Sequence, residues 1–549
     1  MAESVVEKIK KESKGLRGTL KESLLDEHTG AIREPDQALI KFHGMYMQDD
    51  RDRREERAGK KLERAFSYMI RLRLPGGLLT AEQWLALHEV SEQYSSHVIK
   101  ITTRQTIQLH GILKHHIKPT IKEFNTVKLD SIAACGDVNR NVVASAHPRF
   151  SPIHEEIFSY ARTISKLLLP KTNAYYEIWL DKEKISPDVE KDELYQDRYF
   201  PRKFKIAIAI PPYNDVDVFT NDVGIIAIIE NNQLVGFNVS AGGGLGMTHG
   251  NTATYPRLGS MLGFVTKDDL LNTVYAIATV QRDFGDRSDR KLARLKYTID
   301  RIGIPAFKAE VEKRSGIQFQ DEKKYELTIR HDEYGWHKNH EGLYYYTAFV
   351  EMGRVCDSDN VQFKKAFYEI AKLGKAQFRF TCNQNIIISD IQEEDKTAIE
   401  NILQQYGVLH VTKTASPARR NAVACVALNT CPLALAEAQR YLPSLIDKIE
   451  VILNKYNLNN EELSVRMTGC PNGCGRSVAA EIGFVGTAYG KYNLHIGADA
   501  IGRRLNKLYK ENIEEPEILE TLDVLLKDFS DNKKLNEPFG DYVMRKNLV

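Results

Sequence analysis

The feature that most constrains how this chain can fold is an internal repeat. Setting residue 99 against residue 378 aligns IKITTRQTIQLHGI with FRFTCNQNIIISDI at an offset of 279. Thr102 then meets Thr381, Gln105 meets Gln384, Ile107 meets Ile386 and Ile112 meets Ile391. Further along, at an offset of 280, DVNRNVVAS (137–145) lies against PARRNAVAC (417–425). Here Arg140 pairs with Arg420, Asn141 with Asn421, Val143 with Val423 and Ala144 with Ala424. Two separate matches in nearly one register point to a duplication, so the fold must be built from two related halves. The second match ends with Ser145 facing Cys425. One half carries a thiol where the other carries a hydroxyl, so the halves have different tasks.

The chain has 549 residues, too many for one hydrophobic core and enough for two to four domains. FSYMIRLRLP alternates as a strand and is stopped by Pro75, Gly76 and Gly77. TAEQWLALHEVSEQY reads as a helix with Thr80 as N-cap, and VIKITTRQTIQLHGIL as a second strand. The later half repeats the order: YYYTAFVEMGRV a strand, FKKAFYEIAKLG a helix, FRFTCNQNIIISDI a strand. Residues 1–65 read as an extended N-terminal arm. Its charge run from Asp49 to Arg57 is expected as a solvated face or a packed surface strap.

A net charge of +2 gives no basic excess of the kind nucleic-acid binders show, so any cation-rich site must be local. The polar N-terminus lacks the apolar core of a signal peptide, and no stretch is apolar for long enough to span a membrane. A cytoplasmic location is expected. No dinucleotide fingerprint stands between a strand and a helix, and no flavin motif is visible, so electrons are expected to come from another protein.

Seven cysteines, an odd number in a large chain, argue against a disulfide framework. Cys135, Cys356 and Cys382 are scattered and read as small buried hydrophobes. The other four form C-V-A-L-N-T-C (425–431) and C-P-N-G-C (470–474). Four thiolates suit an iron–sulfur cluster or a tetrahedral zinc. The absence of a two-residue knuckle or nearby His, and the Gly-rich TGCPNGCGR loop that can aim backbone N–H groups at sulfur, favour the cluster. Spacing alone leaves zinc and free thiols open. Taken singly, Arg71 and the Lys203/Lys205 pair read as solvated edge charges, His110 as a core or turn histidine, and AGGGLG (241–246) as a flexible turn.

Together, the two cysteine motifs with TRQTIQLHG, DVNRNV, FPRKFK and FHGMYMQDDRD resemble the sulfite and nitrite reductase family, which carries sirohaem and a [4Fe-4S] cluster. The resemblance covers nearly the whole chain. It implies an α+β fold, internally duplicated into a three-domain mixed α/β architecture. Ferredoxin-like segments from both halves (66–132 plus 325–412) combine in one domain behind the arm (1–65). A first repeat domain (133–324) makes anion and sirohaem contacts, and a second (413–549) holds the cluster. The resemblance also implies that Cys425, Cys431, Cys470 and Cys474 ligate the cluster, with Cys474 bridging to the sirohaem iron. Sirohaem contacts fall on Lys100, Arg104, Gln108, His110, Arg140, Arg202, Arg294 and Asn472. Lys100 and Arg294 depart from the family's side-chain type, which is Arg and Lys respectively. Substrate-binding cations fall on Arg71, Arg140, Lys203 and Lys205. By the period of two, Lys203 and Lys205 share one face of a strand and Arg202 faces away. The implied reaction is six-electron reduction of sulfite to sulfide in assimilatory sulfur metabolism. Nitrite reduction and a zinc-stabilised non-enzymatic scaffold are the alternatives. The implied partner is a diflavin NADPH-oxidising subunit, with ferredoxin as the alternative donor. The FHGMYMQDDRD stretch favours sulfite and the NADPH-linked branch.

Overall fold

The computed structural model describes residues 3–147, 152–171, 179–180, 183–184 and 192–549. In it the repeat becomes two matched pairs of five-stranded sheets. The first sheet runs Met45–Asp49, Phe66–Arg71, Ile107–Ile112, Ile99–Ile101, Arg354–Val355; its counterpart runs Gly335–Lys338, Tyr344–Ala348, Ile386–Ile391, Gln377–Phe380, Leu78–Leu79. The fifth strand of each comes from the other half: Arg354 pairs with Lys100, and Leu79 with Phe378. Neither sheet closes without its partner, so the two ferredoxin-like segments fold as one unit.

Local chemistry explains these elements. Thr80 caps the helix Ala81–Tyr94 by accepting from Gln83 N, and Gln83 reaches back to Thr80 N, a full capping box. That helix buries Trp84, which stacks on Phe378 of the other half at 4.6 Å between ring centroids. The segments 98–113 and 378–391, expected as single strands, are hairpins instead. Each turns at a left-handed glutamine, Gln105 (φ 49°) and Gln384 (φ 68°). Each glutamine side chain accepts from the backbone of the following repeat strand, Gln105 from Ala144 N at 2.9 Å and Gln384 from Ala424 N at 3.2 Å. Glycine is required opposite both. A Cβ on Gly77 (φ 79°) would lie 2.7 Å from Phe380 O, and one on Gly353 (φ 67°) 2.3 Å from Ile101 O.

The second pair of sheets runs Val143–Ala144, Ile206–Ala209, Val223–Glu230, Gln233–Ala241, Ser260–Thr266, and Val423–Ala424, Val465–Thr468, Ile482–Ala488, Lys491–Ile496, Lys507–Ile513. The first three strands of each are parallel. Their continuous apolar runs, such as IAIA, are buried on both faces, as parallel strands require. The observed class is the duplicated α+β architecture that was expected. Residues 1–65 are more than an extended strap. They hold the helices Val5–Glu12, Leu20–Leu25 and Glu34–Leu39, and Met45–Asp49 is an edge strand of the first sheet. No helix among the described residues is long and apolar enough to cross a membrane.

Candidate functional site

The two hairpin tips, the cysteine loops and the lead-in to strand Ile206–Ala209 converge. Arg104, at the first tip, donates to Asn221 Oδ1 (2.8 Å) and Ile206 O (3.1 Å), while Thr103 Oγ1 donates to Cys474 O at 3.0 Å. The DVNRNV segment supplies Arg140, buried, with Nε donating to Gly136 O at 2.9 Å. Asn141 ties the segment to Leu74 O and Arg104 O at 2.7 and 2.9 Å. Phe204 is fully buried, so Lys203 and Lys205 on either side of it turn to the opposite, half-buried face. Arg202 does not face away as the strand period implied. A bend occupies 201–202, the strand starts only at Ile206, and Arg202 comes round to repel Lys203.

Lys100, Arg202, Lys203 and Lys205 make no ion pair and no side-chain hydrogen bond to any described residue. Their ionisation shows what this costs. Burial, then Arg104 and Arg294, push the Lys205 ammonium down to about 7; burial, then Arg354, do the same to Lys100. Burial and Arg290 lower Arg202 to about 10, and Lys203 is driven further down by burial, Arg202 and Lys205. Nearby carboxylates are already taken. Asp137 holds Arg290 through two bonds of 2.6 and 2.8 Å, and Asp222 holds Arg294 through bonds of 3.1 and 2.8 Å. Unpaired, half-buried cations of this density demand a multiply charged anion.

Arg71, at the end of its strand, donates to Cys135 Sγ at 3.1 Å and Ala134 O at 3.3 Å. The Gln108 amide bridges two groups. With the amide turned so that both neighbours are satisfied, its oxygen accepts from Arg71 Nε at 2.9 Å and its nitrogen donates to His110 Nε2 at 3.2 Å. His110 Nδ1 sits 2.9 Å from Gln48 Oε1 and 3.3 Å from Thr430 Oγ1, linking the arm to the cysteine loop. Burial and the Lys100 charge keep this imidazole neutral at physiological pH.

The four thiols gather at the far wall. Cys425 and Cys431 interact electrostatically with Cys474, and so does Cys470. Donors aim at the sulfurs: Gly469 N to Cys425 at 3.3 Å, Thr468 Oγ1 to Cys425 at 3.6 Å, Asn472 Nδ2 to Cys470 at 3.3 Å. Among the described residues, the only group of three or more ligand atoms mutually within 4.8 Å lies elsewhere, so no three of these sulfurs are that close. Zinc–sulfur bonds of about 2.3 Å would set sulfurs about 3.8 Å apart in a tetrahedron. The wider spread suits the larger cubane of an iron–sulfur cluster. Cys474 is the exposed member, and it lies within electrostatic reach of Arg71, Lys203 and Lys205.

The glycine run 241–246 backs this loop. Met247 N donates to Pro471 O at 2.7 Å, and a Cβ on Gly473 (φ 69°) would lie 3.1 Å from Leu245. Lys296, buried beneath, donates to Gly244 O (3.1 Å), Gly246 O (2.9 Å) and Tyr255 O.

Comparison with known proteins decides the family. The nitrite/sulfite reductase ferredoxin-like half domain matches twice, at residues 61–127 and 337–406, and the nitrite and sulphite reductase 4Fe-4S domain matches residues 159–319. The sulfite reductase (NADPH) hemoprotein beta-component of Leptospira biflexa serovar Patoc is 62% identical over 548 residues, covering 100% of this chain and 99% of that protein. This chain belongs to the nitrite and sulfite reductase family. The sulfite reductase (NADPH) hemoprotein beta-component of Anoxybacillus flavithermus is 50% identical over 548 residues, covering 100% of this chain and 96% of that protein. The solved structure of Mycobacterium tuberculosis NirA shares the fold, with a TM-score of 0.78 at 23% identity over 99% of this chain and 97% of that one. The matched 4Fe-4S segment 159–319 is the repeat without the thiols; the thiols stand in its structural counterpart.

Sequence reading missed several residues that the fold brings to this cleft. Tyr46 and Gln48 come from the arm, Cys135 lies under Arg71, Thr430 touches His110, and Lys296 carries the glycine run. FHGMYMQDDRD held a signal for the first two, but only long-range strand pairing places them here.

Proposed function

We propose that this chain is the haemoprotein subunit of an assimilatory sulfite reductase, reducing sulfite to sulfide by six electrons. The observation that carries the reading is the cation set without counter-ions set against four splayed thiols, one exposed toward it. Sirohaem carries eight carboxylates, and Lys100, Arg104, Gln108, His110, Arg140, Arg202, Arg294 and Asn472 are the residues that would hold them. Arg294 would do so while still braced by Asp222. Cys425, Cys431, Cys470 and Cys474 would hold the [4Fe-4S] cluster, with Cys474 shared with the haem iron. When bound, this coupled pair would supply single electrons to the substrate.

The chain's own residues do the rest. Arg71, Arg140, Lys203 and Lys205 bind the anion's oxygens as fixed positive charge, and the two lysines pass on the protons that turn those oxygens into water. Arg71 is held in aim by Gln108 and Ala134. Neutral His110 donates or accepts without adding a competing charge.

A diflavin NADPH-oxidising subunit supplies the electrons, as the beta-component name of the relatives supports. The setting is the cytoplasm, where seven unpaired thiols stay reduced. The test is kcat/KM for sulfite and nitrite with a reconstituted diflavin donor and with ferredoxin. A higher value for sulfite through the diflavin donor is expected. A clear nitrite preference would overturn the substrate, and turnover with ferredoxin alone would overturn the partner.

A further inference from the structure

The duplication places a second centre where the first repeat has no thiols. The 3-10 turns Val218–Thr220 and Ser477–Ala479, and the strands starting at Val223 and Ile482, correspond at an offset of 259. That register puts Asp215 at the position of Cys474, just as the strand register puts Ser145 at that of Cys425. Two backbone contacts agree. Ser145 N donates to Ile208 O at 3.0 Å where Cys425 N donates to Met467 O at 3.3 Å. Ile210 N donates to Ser145 Oγ at 3.1 Å where Gly469 N donates to Cys425 Sγ at 3.3 Å.

Beside Ser145, His147, Asp215 and Asp332 bring one imidazole nitrogen and two carboxylate oxygens within 4.8 Å of one another. All three residues are buried, at 1, 1 and 2% exposure. Both carboxylates are oriented from behind. Asp215 accepts from Ser145 Oγ (2.7 Å) and Ala146 N (3.0 Å). Asp332 accepts from Thr381 Oγ1 (2.6 Å), Asn383 Nδ2 (3.1 Å) and Asn385 Nδ2 (2.8 Å). Neither makes an ion pair with a lysine or arginine among the described residues. The His147 ring stacks on Tyr213, and neither of its nitrogens has a hydrogen-bond partner among the described residues; Nε2 stands 3.9 Å from Asp332 Oδ1. A buried imidazole with no close hydrogen bond, its nearest carboxylate oxygen 3.9 Å away, is poorly satisfied beside two buried carboxylates. One imidazole and two carboxylates, each carboxylate held by a second layer of donors, is a donor set that satisfies a divalent first-row ion.

We propose that His147, Asp215 and Asp332 bind one divalent transition-metal ion at the first repeat's counterpart of the cysteine loop. The ion neutralises the two carboxylates and uses the free imidazole nitrogen. It fastens the first repeat, through His147 and Asp215, to the segment entering the second ferredoxin-like half, through Asp332. Hard and borderline donors replace thiolates, so the site takes a single ion and no cluster.

Manganese(II) is a suitable probe, since it accepts carboxylate and imidazole and is visible by EPR. The purified holoenzyme is dialysed against MnCl2, and bound manganese is counted against protein, haem and iron. One equivalent is expected, lost in Asp215→Asn and His147→Gln while the haem and cluster absorption is kept. Pulsed EPR on the manganese-loaded unaltered holoenzyme covers the case in which those variants do not fold, and coupling to an imidazole nitrogen is expected. No stoichiometric uptake by the unaltered protein, equal uptake by folded variants, or manganese without nitrogen coupling overturns the proposal.

Discussion

Two loops that lead into matching turns and strands carry opposite chemistry. PPYNDVD (211–217) and CPNGCGR (470–476) occupy equivalent places in the two repeats, and each precedes a 3-10 turn and a buried parallel strand. The second carries Cys474, exposed toward a field of unpaired cations. The first carries Asp215 at the same place, 1% exposed, closed over by His147 and Asp332. Even the residues that follow are complementary. Asp217 and Arg476 are counterparts, both left-handed (φ 48° and 58°), and they meet as a buried ion pair at 2.7 Å. Arg330 and Arg466 join the same carboxylate at 2.6 and 2.7 Å. The difference teaches that the scaffold fixes backbone donors and strand ends, while donor softness and access to the cleft decide what each half holds.

The change expected to break this comparison most severely is Cys474→Ser, which brings the second loop toward the oxygen chemistry of the first. Sulfite turnover should vanish, and the haem and cluster absorption should be lost or uncoupled. An unchanged visible spectrum with intact activity would remove Cys474 from the bridging position.

Next in size is the cation field that only the second loop faces. Lys203→Gln or Lys205→Gln should lower kcat/KM for sulfite by about 10²–10³-fold, the scale of removing one preorganised charge from a developing anion. Cofactor content, read from the haem absorption, should stay near that of the unaltered protein. A loss confined to KM would assign these lysines to binding alone.

Much of this was legible in the sequence, and the reasons are physical. Cysteine spacing, the repeat register and the Thr80 cap are local patterns, so they survive without a structure. The hairpin tips did not, because TTRQT and TCNQN hold no Gly or Pro to mark a turn, and only the left-handed Gln105 and Gln384 break the strand. Arg202 was misplaced because the strand period was extended through a bend. Tyr46 and Gln48 depend on pairing between Met45–Asp49 and Phe66–Arg71, and His147, Asp215 and Asp332 are brought together from three separate segments. No local pattern brings any of these together.

A third test sharpens the contrast through pH. Lys100 and Lys205 have an ordinary pKa of 10.5 and sit at about 7 in the folded chain. Above pH 7 the unfolded chain therefore binds protons that the folded chain has released, so stability must rise with pH. Protein prepared without sirohaem should show its denaturant midpoint climbing from pH 7 to 8.5, a range below the ordinary thiol value of 9.0. Loading the polyanionic cofactor restores counter-charge to these lysines and should flatten the climb. A midpoint that falls over this range in the haem-free protein would show that the cations are paired in solution.

The smallest effect concerns how the charge run of the arm clamps the cysteine-bearing half. Arg51 donates to Ala434 O at 2.6 Å, its backbone N donates to Asn429 O at 3.3 Å, and Asn429 donates to Asp50 Oδ1 at 2.6 Å. Arg440 adds an exposed pair with Asp52 at 2.7 Å. The charge run therefore straps the Cys425–Cys431 loop in place. Arg51→Ala removes one charge-assisted bond to a carbonyl and should cost about 1–3 kcal/mol of stability. The exposed Arg440–Asp52 pair contributes little, so Asp52→Asn should change the unfolding midpoint hardly at all. The two variants separate a strap that orders the cluster loop from one that merely covers it. If the strap orders the loop, Arg51→Ala should also hasten loss of cluster absorption on exposure to air while Asp52→Asn does not. If both variants bleach at the unaltered rate, the strap contributes stability without shielding the thiols.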